Sequence, residues 1–318
     1  MTTSVFEGRE PWTRMVIAIS GSSGLIGSAL VRALEDHGSD VRRIVRRAVR
    51  SEREISWDPA RGTIDRARLE GVDAVINLAG ENLAQRWTSD ARRRIHQSRV
   101  GGTALIARAL AGLARRPRVL LSGSAIGIYG SRGDEALDET STLGHDFLAG
   151  VCREWEAASA PAADAGVRVV SLRTGLVVSR DGGVLRQLLL PFRLGVGGRA
   201  GSGRQWMSWI APGDYTRIIA LLLGRESISG AVNLVAPNPV TNDEFARTLA
   251  RVLGRPSLIP VPTLALKAMF GEMAEGTILA SQRVVPRRLL DAGFEFSCPT
   301  LEAALRAELV RDTSAGRH

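Results

Sequence analysis

Val16-Ile-Ala-Ile-Ser20-Gly21-Ser-Ser-Gly24-Leu-Ile-Gly27-Ser-Ala-Leu-Val31-Arg-Ala-Leu34 decides the fold. A β-branched run ends in a glycine-rich turn, and an apolar-periodic helix follows at once. Glycine at the turn admits backbone conformations that a Cβ hinders, and it lets main-chain N–H groups come close to a ligand. The helix behind it offers unpaired N–H groups and the positive end of its dipole, which favour a phosphate or pyrophosphate. The spacing is G-x-x-G-x-x-G, one residue longer than the G-x-G-x-x-G fingerprint. A strand, turn and helix opening a βαβ pattern point to dinucleotide binding, with Gly21, Ser23, Gly24, Leu25, Ile26 and Gly27 around the phosphates.

Working outward, the second strand, 40–45, ends in Arg46-Arg47. In dinucleotide folds a carboxylate at this strand end holds the ribose hydroxyls, and arginine there accommodates the 2′-phosphate of NADP. Here two guanidiniums stand at the strand end, and guanidinium suits bidentate phosphate contact. NADP is therefore expected rather than NAD; the competing account is two more arginines in an arginine-rich chain. The strand at 72–77 leaves through Leu78, Ala79 and Gly80, small enough at its end for a cofactor to lie against the backbone. A loop, Glu81-Asn82-Leu-Ala-Gln-Arg86-Trp87, precedes a long helix from about 88 to 113, with Thr88 and Asp90 as candidate caps. The strand at 118–122 runs into Gly123-Ser124-Ala-Ile-Gly-Ile-Tyr129-Gly130; a helix at about 147–165 and a strand at 167–173 follow. Strands separated by helices imply a Rossmann-type α/β fold, a doubly wound parallel sheet with right-handed crossovers. Ligands of such sheets sit beyond the carboxyl ends of the strands. Gly21, Arg46, Gly80, Ser122, Ser124, Tyr129 and Arg173 all fall at such ends.

Past Arg173 the rhythm changes. Asp181-Gly-Gly183 opens a leucine-rich helix, and residues 195–203 form an irregular glycine-rich loop. That loop lacks the Lys-Ser/Thr ending and the strand–helix context of a P-loop. Residues 206–236 return to the sheet, and Thr241-Asn-Asp-Glu244 has the form of a capping box. The expected layout is a dinucleotide-binding domain over 15–177, joined by 206–236, and a smaller, mainly helical C-terminal lobe over 178–205 and 237–309 that caps the substrate. Residues 1–14 and 310–318 are expected to be tails. Glu81, Asn82, Gln205, Trp206 and Trp209 are candidates for the substrate side; a solvated loop for the first two, and packing between lobes for the tryptophans, are the alternatives. Glu154 and Glu156 are expected at the surface.

The chain has 318 residues, 44% hydrophobic and 24% charged, ordinary for a globular protein with a large core. Its formal charge is +9, carried almost wholly by arginine, since Lys267 is the only lysine. The arginines are scattered among acidic residues and form no long basic run, which argues against a nucleic-acid partner. Cys152 and Cys298 are too few and too far apart for a disulfide framework or a zinc site, and His37, His96 and His145 share no metal-ligand spacing. No secretory signal and no apolar stretch long enough to span a bilayer are visible, so no membrane partner and a cytoplasmic location are expected.

The Gly21/Gly24/Gly27 turn, Asn77-Leu-Ala-Gly80, Ser122-Gly-Ser-Ala-Ile-Gly-Ile-Tyr129-Gly and Leu172-Arg-Thr-Gly-Leu-Val resemble successive strand ends of the extended, epimerase-like branch of the short-chain dehydrogenase/reductases. Gly80-Glu-Asn, Arg86-Trp-Thr, Gly201-Ser-Gly-Arg-Gln205 and Val285-Pro-Arg-Arg-Leu-Leu-Asp-Ala-Gly-Phe294 are similar to one atypical subgroup, the "epimerase family protein" set of NAD-dependent epimerase/dehydratase-like chains. The resemblance spans roughly 16–305. It implies NADP as the cofactor and, by analogy, pairing of two copies as a homodimer. Members with the usual mechanism carry Tyr-x-x-x-Lys on the helix after the serine-bearing strand; the i, i+4 spacing puts both side chains on one face, where lysine lowers the tyrosine pKa. Here those positions look like Phe147 and Val151. The only tyrosines are Tyr129 and Tyr215, with Gly133 and Ile219 four residues on, so the pair exists nowhere in the chain. A positioned acid or base is worth about 10² to 10⁴ in rate. Ser124 lies where the family's substrate-orienting hydroxyl sits, and Tyr129 either supplies the proton or packs under the cofactor. Two functions follow: an NADP-dependent oxidoreductase or epimerase of a small carbonyl- or hydroxyl-bearing substrate, or a non-catalytic NADP(H)-binding sensor or scaffold.

Overall fold

The computed structural model describes residues 13–257 and 259–310; the expected tails lie almost wholly outside them. Strands β1 (Val16–Ser20), β2 (Asp40–Val45), β3 (Glu54–Asp58), β4 (Thr63–Ile64), β5 (Ala74–Asn77) and β6 (Val119–Ala125) join strands Arg168–Thr174 and Gly230–Leu234 in one eight-stranded sheet. From one edge the order is Gly230–Leu234, Arg168–Thr174, β6, β5, β1, β2, β3, β4. Every pairing is parallel except β3 with the two-residue β4. The chain direction across the sheet reverses between β1 and β5, and a ligand crevice opens at such a switch point.

Alternation along the strands separates two cores. Ile17, Ile19, Val119, Leu121, Ala74 and Ile76 face one side, against Leu30 and Leu34 of helix Leu25–Asp36 and Ile218 and Leu222 of helix Pro212–Gly224. Ala18, Val75 and Leu120 face the other, against Ile106 and Leu110 of helix Gly102–Ala111. Strands buried on both faces read as near-continuous apolar runs, as β1 does. Each fully buried branched side chain contributes about 1.5–3 kcal/mol.

The C-terminal lobe has its own core. Leu185, Leu189 and Phe192 of helix Gly183–Arg193 meet Phe245 and Leu249 of helix Asn242–Leu253 and Leu301 and Leu305 of helix Leu301–Leu309. Thr241 and Glu244 complete a capping box at the start of the middle helix, each side chain bonding the other's backbone N–H. The lobe does not keep to itself, because Leu289 and Phe294 join the sheet core.

Two helices differ from their sequence form. The 88–113 segment is broken by a π-helical turn, Gln97–Gly101, between helices Ser89–His96 and Gly102–Ala111. The helix expected over 147–165 stops at Ala157, and a short helix Ala160–Asp164 with Pro161 at its start follows.

Candidate coenzyme cleft

The first turn is shaped by two glycines. Gly21 has φ +69°, and a Cβ there would stand 2.8 Å from the carbonyl carbon and oxygen of Leu78. At Gly27 a Cβ would stand 2.8 Å from the carbonyl carbon of Gly21 and closer still to its oxygen. Glycine at both lets the helix, the first turn and the Leu78–Ala79 turn close on one another. Ser20 Oγ receives Ala79 N–H at 3.3 Å and donates to Asn77 Oδ1 at 2.6 Å, fixing the second turn from below. Helix Leu25–Asp36 begins at Gly24 with no side-chain cap, so the first N–H groups, at Leu25, Ile26 and Gly27, are left for a ligand. Ser23 and Gly24 are exposed. This cradle, closed to a Cβ at Gly21 and Gly27 and lined by uncapped amides, fits a dinucleotide pyrophosphate.

The two arginines after β2 part company. Arg47 donates to both carboxylate oxygens of Glu54 on β3, and the hydrogen bonds from Arg47 and the Arg50 N–H hold that carboxyl down at about 2. Arg46 is exposed and makes no hydrogen bond among the described residues, and its charge helps to depress Glu81. Arg47 is thus a strand clamp and not a phosphate ligand in this conformation, which corrects the expectation for it.

Glu81 accepts from Gln85 Nε2 and from Arg94 Nε, each at 3.3 Å, and these contacts lower its pKa. Asn82 is exposed and accepts from the Ala84 N–H in a local turn. Gly80, also exposed, lies against the Arg99 guanidinium.

The catalytic candidates are drawn into a buried network. Ser124 Oγ donates to Glu156 Oε1 at 2.6 Å. Arg173 grips both oxygens of Glu156 at 2.9 Å, and its Nη1 donates to Tyr129 Oη at 2.9 Å. Burial opposes the charge of Arg173, but Glu156 outweighs it and raises the pKa. Tyr129 is 0% exposed, donates to Asn233 Oδ1 at 2.7 Å, and has its pKa raised by burial. Two corrections follow. Tyr129 is not placed to exchange protons with a substrate, and Arg173 spends its donors on Glu156 and Tyr129 instead of a coenzyme. β6 runs on to Ala125, so Ser122 is buried in the middle of the strand and not at its end as expected, and its Oγ has no partner among the described residues.

Phe147 and Val151 stand in an apolar cluster with Trp87, Leu148 and Met273. The Phe147 ring lies 5.3 Å from Trp87, with the Arg92 guanidinium 4.7 Å above it. Beside it a surface cleft of about 680 Å³ is lined by Arg92, Arg93, Arg94, His96, Gln97 and Phe147.

The substrate-side candidates of the lobe are structural. Trp209 is 0% exposed in the lobe core and donates to Asn238 O; Gln205 is buried and donates to Ala200 O and Ile278 O. Trp206 donates to Asp134 beneath the Arg283 guanidinium. Sequence reasoning missed Glu156 and Arg99. Glu156 was legible in part, since it shares a helix stripe with buried Ala149 and Cys152 at i+7 and i+4. Arg99 was not, because it depends on the π turn. No helix among the described residues is long and apolar enough to cross a membrane.

Comparison with known proteins agrees with this geometry. Residues 17–234 match the NAD dependent epimerase/dehydratase family, and 261–308 match a domain of unknown function, DUF1731. Epimerase family protein Mb2239 of Mycobacterium bovis is 44% identical over 293 residues, covering 91% of this chain and 96% of that protein. The crystal structure of human epimerase family protein SDR39U1 (isoform 2) with NADPH superposes with a TM-score of 0.86 at 34% identity, covering 94% of this chain and 100% of the human one. A nucleoside-diphosphate sugar epimerase from Corynebacterium glutamicum gives 0.78 at 37% identity, covering 94% of this chain and 59% of that one. This chain belongs to the NAD-dependent epimerase/dehydratase family, as an extended short-chain dehydrogenase/reductase of the epimerase family protein subgroup.

Proposed function

We propose that this chain binds NADP(H) along the carboxyl edge of its sheet and moves hydride between it and a small carbonyl- or hydroxyl-bearing substrate. The observation that carries this is the uncapped N-terminus of helix Leu25–Asp36 at the switch point, with the exposed Arg46 one strand away for the 2′-phosphate. The human relative described with NADPH supports the phosphorylated coenzyme. When bound, the nicotinamide supplies or accepts the hydride. The chain's own part is to bind, to orient and to exclude water. Ser124 orients a substrate oxygen, and bound water carries the proton that Tyr-x-x-x-Lys carries elsewhere.

Phe147 and Val151, packed in an apolar cluster, favour a second reading in which NADP(H) is bound but not turned over and its redox state sets affinity for a partner. Coenzyme titration followed by a panel of carbonyl compounds and nucleotide sugars at high enzyme concentration separates the two. NADPH tighter than NADH, with NADPH consumed by one substrate class, is the expected result. Tight binding without turnover on any member leaves the second reading, and no binding at millimolar coenzyme overturns both.

A further inference from the structure

We propose that the C-terminal lobe docks on an anionic lipid surface, through a face built from helix Gly183–Arg193, the glycine-rich loop after it and the segment 255–269.

The charge of this face is one-sided. No acidic residue lies between Asp181 and Asp214, where Arg186, Arg193, Arg199 and Arg204 stand, and none between Glu244 and Glu272, where Arg255 and Lys267 stand. Arg199 and Lys267 reach carboxylates outside these stretches, Asp243 and Glu275. Arg193, Arg204 and Arg255 are exposed and make no ion pair among the described residues. Of the large apolar side chains exposed among the described residues, all but Leu290 and Val310 lie in the same two stretches. Clustered exposed apolar groups mark a docking surface, and the uncompensated arginines make that surface one for anions.

Helix Gly183–Arg193 buries Leu185, Leu189 and Phe192. Its outer face nevertheless carries Leu190, 67% exposed, and at its end Leu194, 68% exposed. Arg186, Leu190, Arg193 and Leu194 fall at i, i+4, i+7 and i+8, so guanidiniums and leucines share one stripe. A helix face that meets only water carries polar residues at such positions. Aliphatic groups beside arginines suit a headgroup layer, the chains entering the acyl boundary and the guanidiniums meeting phosphates.

The second stretch lies alongside. Val261 N–H donates to Arg199 O and Gly201 N–H to Val261 O, each at 2.8 Å, and a Cβ at Gly195 would stand 3.8 Å from Pro256. Ile259 and the 79% exposed Leu264 stand in a run where Pro256, Pro260 and Pro262 fix the backbone, so they lose little freedom on docking. A second copy of this chain would set the arginines against one another. A bilayer supplies phosphates instead and accepts protruding side chains without a matching groove. The expectation of no membrane partner rests on the lack of a spanning segment, which a protein lying on the surface does not need.

The test is co-sedimentation of the full chain with vesicles of phosphatidylcholine, alone or mixed with phosphatidylglycerol. Binding is expected with the mixed vesicles only, falling as salt rises. Leu190→Gln with Leu194→Gln should weaken it about tenfold or more, through the lost burial of two aliphatic chains. Arg193→Gln should weaken it about fivefold, as one cation near a charged surface predicts. These side chains are exposed, so thermal melts of the variants should match the unaltered protein; Leu264→Gln gives the same comparison if the double variant folds poorly. Equal binding by the leucine variants overturns the proposal, since charge alone would then be the attraction. Absence of binding to the mixed vesicles overturns it too, and a dimer that the leucine substitutions dissolve would then assign the face to a second copy.

Discussion

Gly27→Ala tests the cradle most directly. Its Cβ would stand 2.8 Å from the carbonyl carbon of Gly21, 2.9 Å from Ser22 Cα and closer still to Gly21 O. All three are backbone atoms and cannot rotate away. Ordinary contact requires the helix to retreat from the turn by roughly an ångström; overpacking of this kind costs about 1–3 kcal/mol. Replacing a helical glycine by alanine returns about 1 kcal/mol of that. The variant should therefore lose about 2 kcal/mol at the upper end, seen as a lower Tm in a thermal melt. The same retreat draws the Leu25, Ile26 and Gly27 amides from the pyrophosphate; losing even one charged hydrogen bond is worth about 1.5–3 kcal/mol, or about tenfold to a hundredfold in Kd. Gly24→Ala is the control, since its Cβ meets only Gly21 O at 3.3 Å and its φ of −74° suits any residue. It should keep most of the stability while still hindering coenzyme at the exposed mouth of the turn. NADPH affinity within twofold of the unaltered protein for Gly27→Ala would refute the cradle.

Arg46→Ala should weaken NADPH by about tenfold to a hundredfold and leave NADH unchanged, because one charged phosphate contact is lost; an equal loss for both coenzymes in calorimetric titration would contradict the 2′-phosphate assignment. Arg47→Ala should show far less selectivity, its guanidinium being held by Glu54. With its pKa lowered from 4.5 to about 2, Glu54 contributes stability that is complete above about pH 4.5 and lost as pH falls through 2. Denaturant melts of Glu54→Gln should lack that acid limb, and an identical limb would refute the pair's role. Tyr129→Phe leaves Asn233 Oδ1 and Arg173 Nη1 short of a partner, costing about 1–3 kcal/mol. Its NADPH affinity should be unchanged; a loss of affinity would return Tyr129 to the site.

β1 and β5 were legible because they carry apolar runs closed by small residues; β2, which has no such run, still coincides with 40–45, and the glycine turn and capping box stand where their patterns put them. Strand ends could be read from a one-dimensional pattern; what each polar side chain does at such an end could not. Arg46 and Arg47 are adjacent and chemically identical, yet a single carboxylate on β3 separates their fates, and that contact requires the β2–β3 register. Trp209 and Tyr129 failed as site residues for a related reason: their apolar bodies fill cores and their polar ends find Asn238 O and Asn233 Oδ1. The π turn had no composition signal at all, and Arg99 was hidden with it.

Phe147 and Val151, which the family resemblance sets at the positions of the tyrosine and lysine, have a structural role here. Phe147 and Val151 belong to a contact between lobes: Trp87 packs so closely on Gly276 that a Cβ there would stand 2.8 Å from its ring, and Arg92 bonds Glu272 across the same seam. A lysine at Val151, which is 3% exposed, would be buried among these apolar groups with its charge uncompensated. Restoring tyrosine and lysine by substitution should therefore disturb the seam without restoring proton exchange. The polar groups nearby are Glu156, farther along the same helix, Ser124 on β6 and Arg173 on the strand paired with β6. A serine hydroxyl has one proton to give, and Ser124 gives it to Glu156 at 2.6 Å, leaving only lone pairs for a ligand. If Ser124 orients the substrate as proposed, the oxygen that meets it does so as a donor, and the hydroxyl form of a substrate should then inhibit at lower concentration than its carbonyl form.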